Sequence, residues 1–560
     1  MSQPQETPEH TSSRYLWFLV LVTVLAYIQV ITFPFLLLDD TPYILRNPGA
    51  QHWDQLPGYF VGHAHLSADD TAIELPYYRP IPTVWTVLNY QLFGPRPLFW
   101  HLAGLALYIA GVLLFHRLAW KLTKSDFVAL AAALLYALHP LHVEGVAWIS
   151  GSTVEAPVSI LFFGSFLAYL KWRENRQIWW LAFCGVLTFI SLLTKETAAA
   201  LPVLILAHVV VFRPSGEKRG ELWRRFAPVV LTMIITISVY TALRITGLNA
   251  LVVLHPEHRW AEVMRTAPWL FITYLRHAFW PVHLATWYDA TVLGSVHDPR
   301  FYWPLAAVVI YTVAMIWALF RRPLTGFLML WWAVLLGPPL LGVRAFHDFE
   351  IIRDRFCFIA VAGLCLLAAT ALDRLPVKEA FLFDFKATSA GALAVIAMIL
   401  GALTAFQVKY WRDDTSVYMH SIEVSPTSPT PRVLLANMAL KQGDIVTALA
   451  LDRETMNISP DRWQAIFAYG ITLDAAGDRL EAIRVLTHGI QVAPRRAVLY
   501  HALARVLTEE HDFQGAITVL RQGIALADQT EGLQKHLTNL QAALQQPLTR
   551  KPDTGTGVQQ

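Results

Sequence analysis

The sequence predicts an all-α protein in which a polytopic bundle of membrane helices is followed by an α-solenoid of short repeats. Of the 560 residues, 55% are hydrophobic and only 15% are charged, whereas soluble domains carry nearer a quarter charged residues. Eleven apolar runs have about the length of a membrane helix. A period of 34 residues in the last quarter of the chain predicts the solenoid.

These patterns divide the chain into four predicted parts. We expect a disordered N-terminus (1–13), a membrane domain (14–410), a repeat domain (411–545) and a disordered tail (546–560). The first apolar run is too long for a signal-peptide core, so we interpret it as a retained anchor. The segment 84–93 is too short to cross and predicts an interfacial helix. The predicted spans are 15–38, 98–119, 127–141, 152–170, 178–193, 197–211, 227–243, 302–320, 325–342, 356–372 and 388–406.

The distribution of Lys and Arg predicts the orientation of the spans. Basic residues cluster in the short loops after spans two, four, six, eight and ten, and such loops stay in the cytoplasm. The N-terminus is therefore predicted to be cytoplasmic and the repeats periplasmic, in a bacterial inner membrane. The net charge of +3 favours no nucleic-acid partner. The three cysteines lie in apolar runs and are predicted to be small core residues.

Small residues and prolines recur every 34 residues in the repeat domain. Pro426, Pro460 and Pro494 form one register. Two further registers are Ala436, Gly470 and Ala504, and Ala448, Ala482 and Ala516. Small residues let paired helices approach each other, and the period is that of tetratricopeptide repeats. About three units and a terminal helix (531–545) are expected; a generic stack of helical hairpins is the alternative.

Polar residues lie close to the span ends on the predicted outer side. Ionisable groups beside hydrocarbon are costly, so their recurrence in every outer loop points to a functional site. The residues are Asp39, Asp40, Tyr77, Tyr78 and Arg79; His139, His142 and Glu144; Lys195 and Glu196; His283, Tyr288 and Asp289; and Arg344, His347, Asp348, Glu350, Arg353, Asp354 and Arg355.

This arrangement suits sugar transfer from a lipid-linked phosphate. The leaving phosphate needs positive charge, which Lys195, Arg353 and Arg355 would supply. The acceptor hydroxyl needs a base, and a carboxylate at the membrane edge has a raised pKa that suits this role, so Asp39 or Asp40 would be the base. One carboxylate with a cationic cradle differs from the two carboxylates of glycoside hydrolysis and predicts inversion.

Several of these residues have simpler explanations. Asp39 and Asp40 would also serve to end the first span and cap the next segment of the chain. His139 and His142 flank a proline, so they either cap backbone carbonyls or, with Glu144, ligate a metal ion.

The remaining groups also have structural alternatives. Lys195 and Glu196 would form an ordinary interfacial ion pair. Arg353 and Arg355 would anchor a span end by snorkelling, and one of Tyr77 and Tyr78 would belong to an aromatic belt.

Six short motifs occur in order before the repeats. They are Leu37-Leu38-Asp39-Asp40, Tyr78-Arg79-Pro80, Leu138-His139-Pro140-Leu141-His142-Val143-Glu144, Thr194-Lys195-Glu196, Trp280-Pro281 with Tyr288, and Asp354-Arg355-Phe356. Over residues 15–530 this ordered set resembles the family of transmembrane and tetratricopeptide-repeat proteins, whose animal members are protein O-mannosyltransferases of the GT-C glycosyltransferase superfamily.

The resemblance implies a GT-C type membrane domain, a polyprenyl- or dolichyl-phosphate sugar donor, and transfer on the periplasmic or lumenal side to an acceptor hydroxyl, expected to be a protein Ser or Thr. We expect Asp39 to be the base, and Asp40 to assist it or bind a divalent cation. The repeats are expected to hold the acceptor protein. The donor phosphate is assigned to Arg79, Lys195, Arg353 and Arg355. The sugar and acceptor pocket is assigned to Tyr78, His139, His142, Glu144, Glu196 and Tyr288.

The chain departs from the family pattern in two places. The family more often has Glu-Arg-Tyr where this chain has Asp354-Arg355-Phe356, so a hydroxyl is missing. The repeats are also fewer than in many relatives, which leaves the acceptor open.

Two other functions compete with this one. A membrane-anchored scaffold that displays the repeats would not need the outer-loop charges to converge. A transporter would place ionisable groups near span centres and repeat its spans internally, and the sequence has neither feature.

Overall fold

The computed structural model describes residues 13–61, 65–66, 73–74, 78–213, 216, 219–248, 258–375, 381–382, 385–527 and 530–545. Tyr77, residues 1–12 and the predicted tail 546–560 lie outside the described residues. Apart from four two-residue strands, the regular structure of the described part is helical, which confirms the all-α prediction.

The chain divides into two compact units, Met1–Pro426 and Thr427–Gln560. The first unit therefore includes the helix that begins just after residue 410, where the sequence placed the domain boundary. Its helices are α1 Ser13–Tyr27, α2 Leu56–Val61, α3 Pro80–Phe93, α4 Pro97–Thr123, α5 Asp126–Ala137, α6 Val143–Ala147, α7 Ile149–Asn175, α8 Ile178–Thr194, α9 Ala200–Val211, α10 Arg219–Leu248, α11 Trp260–Phe279, α12 Pro299–Arg321, α13 Pro323–Gly342, α14 Val361–Asp373, α15 Ala387–Lys409 and α16 Asp414–Val424.

Two antiparallel hairpins complete the regular structure of this unit. β1 (His65–Leu66) pairs with β2 (Ile73–Glu74), with His65 opposite Glu74. β3 (Phe381–Leu382) pairs with β4 (Phe385–Lys386), with Phe381 opposite Lys386. Each strand has only two residues, so neither hairpin builds a sheet core.

The described helices include many with the length and composition of membrane spans, which identifies an integral membrane protein. Each predicted run overlaps a described helix of the first unit, although not every one of these helices is long enough to span a membrane, and the number of crossings stays a prediction. Seven of them are long and apolar enough to cross: Ser13–Thr32, Pro97–Thr123, Ile149–Asn175, Gly220–Gly247, Pro299–Arg321, Pro323–Ala345 and Ala387–Lys409. Asp126–Ala137 and Pro140–Ala147 form a pair bent by 53°, and Ile178–Thr194, Glu196–Val211 and Val361–Asp373 are shorter apolar helices.

Small residues bring the central helices of the first unit together. A Cβ on Gly104 or Gly111 of α4 would lie 2.8 or 2.7 Å from a serine hydroxyl of α7, so glycine is required there. Every residue of α5 from Phe127 to Ala137 is buried. In contrast, α12 exposes Trp303 and Ile310, and such an apolar face suits contact with lipid.

The second unit consists of paired helices. Its helices are α17 Pro429–Lys441, α18 Ile445–Ile458, α19 Trp463–Ala475, α20 Arg479–Val492, α21 Ala497–Glu509, α22 Phe513–Leu526 and α23 Glu531–Gln545. The three described pairs and the terminal helix match the predicted repeats. A Cβ on Gly470 would lie 2.6 Å from the Leu486 side chain, which explains a glycine where the neighbouring repeats have alanine. Asp444, Asp478 and Asp512 cap the second helix of each pair.

Candidate functional site

A cavity of about 370 Å³ in the first unit is lined by residues from five separate parts of the chain. Five of the predicted site residues line this cavity: Asp39, Arg79, Lys195, Arg353 and Arg355. Asp39 lies after the first span, Arg79 precedes α3, and Lys195 lies directly after α8. Both remaining arginines lie between α13 and α14. The fold thus brings four cations and two carboxylates, Asp39 and Glu350, to one cavity from positions up to more than 300 residues apart.

The two adjacent aspartates have different environments. Asp39 lines the cavity. Burial raises the pKa of Asp39 above its ordinary value, although the positive charges of Arg355 and Arg353 oppose the shift. Asp39 therefore binds a proton more readily than an ordinary carboxylate does.

Asp40 is fully buried beside the cavity and does not line it. Its carboxylate accepts backbone hydrogen bonds from Leu36 (2.9 Å) and Ser150 (2.8 Å), and a third from the Ser150 hydroxyl. Burial raises the pKa of Asp40 to about 7, against the effect of these donors. Asp40 therefore ties the loop after α1 to the start of α7. These contacts give Asp40 a structural role, while its predicted role as an assisting group at the reaction centre stays a prediction.

Arg79 is held at the cavity by Glu196. Its Nε and Nη2 donate to Glu196 Oε2 at 2.9 and 2.6 Å. Arg244 of α10 lies 3.6 Å from the other oxygen of Glu196. Glu196 does not line the cavity. It was predicted to belong to the sugar pocket, and in the structure it positions Arg79 instead.

Lys195 forms a buried ion pair with Glu155. The Lys195 ammonium lies 2.5 Å from Glu155 Oε1, and both side chains are almost completely buried. The alternative of a Lys195–Glu196 ion pair is therefore wrong. Glu155 was not predicted, although a carboxylate near the start of an apolar span is itself a signal of a buried partner.

Arg355 is held by an acid and an aromatic ring. Its backbone N–H and its Nη1 donate to Glu144 at 3.0 and 3.1 Å. Its guanidinium lies 4.9 Å from the ring centre of Trp148. Glu144 does not line the cavity and supports this arginine from behind.

Arg353 is held in a similar way by a different set of groups. Its Nη1 donates to the Thr286 carbonyl at 2.9 Å, and Nη2 lies 3.6 Å from Glu350. Its guanidinium lies 5.7 Å from the Trp287 ring centre. Arg353 and Arg355 both line the cavity, which favours a role there over the alternative that they snorkel as span-end anchors.

The two predicted tyrosines lie behind the cavity wall. Tyr78 is buried, donates to the Phe60 carbonyl at 2.7 Å and does not line the cavity. The hydroxyl of Tyr288 lies 2.8 Å from both oxygens of Asp354. His277 Nδ1 is 3.3 Å from the same carboxylate. This buried cluster fixes the turn between the two cavity arginines.

The two predicted histidines bind the backbone instead of lining the cavity. His139 accepts from the Leu141 N–H, and its Nε2 lies 2.9 Å from the Ala278 carbonyl. His142 Nε2 lies 3.0 Å from the Phe358 carbonyl. Their predicted contact with a sugar is therefore not made by this cavity, and the capping alternative describes their contacts.

A divalent cation at Asp40 finds little support in the geometry. Within the ranges that the structure describes, no group of three His, Cys, Asp or Glu side chains is arranged to hold a metal ion. The Asp40 oxygens already accept three hydrogen bonds. The residues present around Asp40 therefore do not fit the predicted ion.

Neutral polar residues form a further part of the cavity lining, beside several apolar residues and the acid Glu350. They were missed because uncharged side chains in loops and helices give no comparable signal in a single sequence. They are Tyr43, Asn47, Tyr59, Thr83, Thr86, Ser150 and Thr153. Together with the cations they make a cavity suited to an anionic ligand that also carries hydroxyl groups.

The fold and this cavity define an integral membrane protein with a charged, hydroxyl-lined cavity built from the connections between its helices. No family model matches the chain. It is 23% identical over 438 residues to protein O-mannosyl-transferase F38B6.6 of Caenorhabditis elegans. The aligned region covers 76% of this chain and 60% of that protein. It is 33% identical over 141 residues to protein O-mannosyl-transferase TMTC2 of Mus musculus, covering 24% and 17% respectively.

The chain thus spans less than two thirds of the length of both relatives. The similarity confirms the resemblance that the ordered motifs predicted. Among solved structures, ArnT from Cupriavidus metallidurans bound to undecaprenyl phosphate is 15% identical, with a TM-score of 0.42, covering 85% of this chain and 80% of that one.

Replacing Asp40 is expected to destabilise the protein. In Asp40→Ala the buried N–H groups of Leu36 and Ser150 lose their acceptor, which costs about 1–3 kcal/mol. Thermal unfolding of the full chain in detergent measures this loss. Asp39→Ala is the matched control and should unfold close to wild type; equal stability of both variants would contradict the structural role of Asp40.

Breaking the Lys195–Glu155 pair on one side is expected to destabilise the protein strongly. Glu155→Leu leaves a buried ammonium without its partner, which costs about 3–5 kcal/mol. The double variant Glu155→Leu/Lys195→Met removes both charges and should regain most of that stability. Unfolding in detergent measures the stability of the wild type, of Glu155→Leu and of the double variant.

The pair Lys121–Glu174, with N–O distance 3.0 Å and a Glu174 side chain that is 41% exposed, is the control for this comparison. Glu174→Leu should cost no more than about 1 kcal/mol because solvent screens an exposed pair. If the double variant at 155 and 195 were less stable than Glu155→Leu alone, the buried pair would not be the source of the effect.

Proposed function

We propose that this chain is an integral membrane glycosyltransferase of GT-C type. It transfers a sugar from a polyprenyl-phosphate donor to an acceptor hydroxyl, with inversion at the anomeric carbon. The observation that carries the proposal is the meeting of Asp39 with Arg79, Lys195, Arg353 and Arg355 at one cavity. The two relatives named as protein O-mannosyl-transferases support it, and their names make mannose the first sugar to test.

Asp39 acts as the general base in this proposal. It takes the proton of the acceptor hydroxyl while that oxygen attacks the anomeric carbon and the bond between this carbon and the donor phosphate oxygen breaks. Polyprenyl phosphate leaves with the electron pair, and the sugar ends on the acceptor. The raised pKa of Asp39 suits the role because a more basic carboxylate is a better proton acceptor.

The four cations bind the phosphate and stabilise the charge that grows on it as it leaves. Arginine suits this task because its planar guanidinium forms paired hydrogen bonds to phosphate oxygens. Arg79, Lys195 and Arg355 are each held by a glutamate. These acids orient the cations before the donor arrives, which reduces the cost of reorganisation during the reaction.

The acceptor is a Ser or Thr hydroxyl of a protein that the repeats of the second unit hold. The stacked helices of such repeats form concave surfaces suited to peptides. The reaction takes place on the periplasmic side of a bacterial inner membrane, with the N-terminus in the cytoplasm, because the basic loops favour that orientation.

A non-catalytic scaffold explains the site less well. It requires only that the membrane domain anchor the repeats and gives no reason for charges from distant loops to share a cavity. The buried Lys195–Glu155 pair is also a costly feature in a passive anchor.

Removing the base is expected to slow transfer strongly. Purified protein in liposomes with mannosyl-phospho-undecaprenol and membrane-extract protein should form labelled glycoprotein, and Asp39→Asn should lower kcat by about 10²–10⁴-fold because the general base is lost. Asp54→Asn changes an exposed carboxylate outside the cavity and should leave the rate unchanged. Full activity of Asp39→Asn would remove the proposed mechanism.

The rate is expected to depend on the ionisation of Asp39. The base works only when deprotonated, so kcat/KM should fall as the pH drops through a pKa above 3.8. Arg353 opposes the rise of this pKa, so Arg353→Gln should move the acidic limb of the profile to higher pH. If the acidic limb of the kcat/KM profile stays at the same pH in Arg353→Gln, Arg353 does not act on the ionisation of Asp39.

A further inference from the structure

Residues 411–425, which we call the junction segment, end the first unit directly before the repeats begin. The segment contains α16. It is anchored to the rest of the first unit at three places, and each place lies next to a charged residue of the cavity.

The first anchor lies beside Asp39. The Leu37 N–H donates to Asp414 Oδ1 at 2.8 Å. The Tyr418 hydroxyl lies 3.2 Å from the same oxygen, which orients the Asp414 carboxylate. Leu37 precedes Asp39 by two residues, so Asp414 fixes the backbone that carries the proposed base.

The second anchor lies beneath Arg355. Trp411 stacks on Trp148, with ring centres 5.9 Å apart and planes inclined by 23°. Trp148 is the ring against which the Arg355 guanidinium lies. Both tryptophans are 4% exposed. Because the stack is buried, a displacement of Trp411 would move Trp148 and the arginine that lies on it.

The third anchor lies beside Arg353. Tyr418 packs against Trp287 with ring centres 6.0 Å apart, and the Ser425 hydroxyl donates to the Trp287 carbonyl at 2.9 Å. Trp287 is the ring next to the Arg353 guanidinium. The neighbouring carbonyl, that of Thr286, accepts from Arg353.

We infer that the junction segment is a positioning element for the transferase site, with Asp414 and Trp411 as positioning residues. Neither residue lines the cavity. Asp414 binds the backbone that carries Asp39, and Trp411 packs on the ring that contacts Arg355. The inference rests on the proposed function for its catalytic consequence. The mechanical part, that the segment holds the cavity loops in place, stands on the contacts alone.

The matched pair Asp414→Ala and Asp413→Ala tests the first anchor in the full chain. Asp413 caps α16 by accepting from the Ser416 N–H, whereas the Leu37 N–H donates to Asp414. Asp414→Ala should lower kcat by about 10²-fold, since small misplacement of a reacting group has effects of that order. Asp413→Ala should keep kcat close to wild type. Asp414→Asn keeps an oxygen acceptor for Leu37 and should restore most of the rate.

The second anchor predicts a different kinetic effect. Trp411→Ala should raise the KM for mannosyl-phospho-undecaprenol by roughly tenfold because Arg355, a phosphate ligand, is displaced. Trp411→Phe keeps a stacked ring and should remain near wild type. Equal effects of the alanine and phenylalanine variants would overturn the role of this stack.

Hydrogen exchange provides a readout that does not depend on activity. Asp414→Ala should raise amide exchange in residues 36–45 by at least about tenfold relative to Asp413→Ala, because the Leu37 anchor is lost. Unchanged exchange there would overturn the positioning role, whatever the rates are. If exchange rises as expected while the wild-type protein transfers no sugar, the junction segment positions the loop and the proposed function is the part that fails.

Discussion

The pairing of buried charge is the constraint on which the cavity depends. Lys195 and Glu155 are both almost fully buried, and a single charge left alone there would cost several kcal/mol. Arg355 with Glu144 obeys the same rule. Each pair joins elements far apart in the sequence, so the contacts that stabilise the first unit are also the contacts that place the cations at the cavity.

Adjacent residues in the charged motifs have different roles: one stabilises the structure and its neighbour lines the cavity. Asp39 faces the cavity while Asp40 is buried in hydrogen bonds to Leu36 and Ser150. Asp354 is buried against Tyr288, while the arginines on either side of it line the cavity. In a turn, neighbouring side chains point to different sides. In a motif of consecutive charged residues, one side chain can therefore bind the surrounding backbone while the next lines the cavity. A motif that looks uniformly catalytic in the sequence is therefore partly structural.

Sequence reasoning predicted the helices and the cavity charges better than it predicted the partners of those charges. Hydropathy and the 34-residue period depend on local spacing, which a single chain displays directly. Ion pairs depend on tertiary structure. Lys195 has an extended backbone, with φ −159° and ψ 141°, so its side chain and that of Glu196 point to different sides. Their adjacency indicated a pair that cannot form, while Glu155, 40 residues away, was the partner. His139 and His142 were likewise assigned to a pocket although they bind backbone carbonyls.

The charge balance of the cavity bears on how the proposed base would be controlled. With Arg79, Lys195 and Arg355 each paired to a glutamate, the cations are largely compensated before any donor binds. Under the proposed reaction, the donor phosphate adds negative charge to a cavity that already contains Asp39 and Glu350. A nearby like charge disfavours ionisation of a carboxyl and raises its pKa. Asp39 would therefore be most basic when the donor is in place, and it would lose that basicity when polyprenyl phosphate departs. Donor binding and proton acceptance would be coupled through the electrostatics of one cavity, without any requirement for a change in conformation.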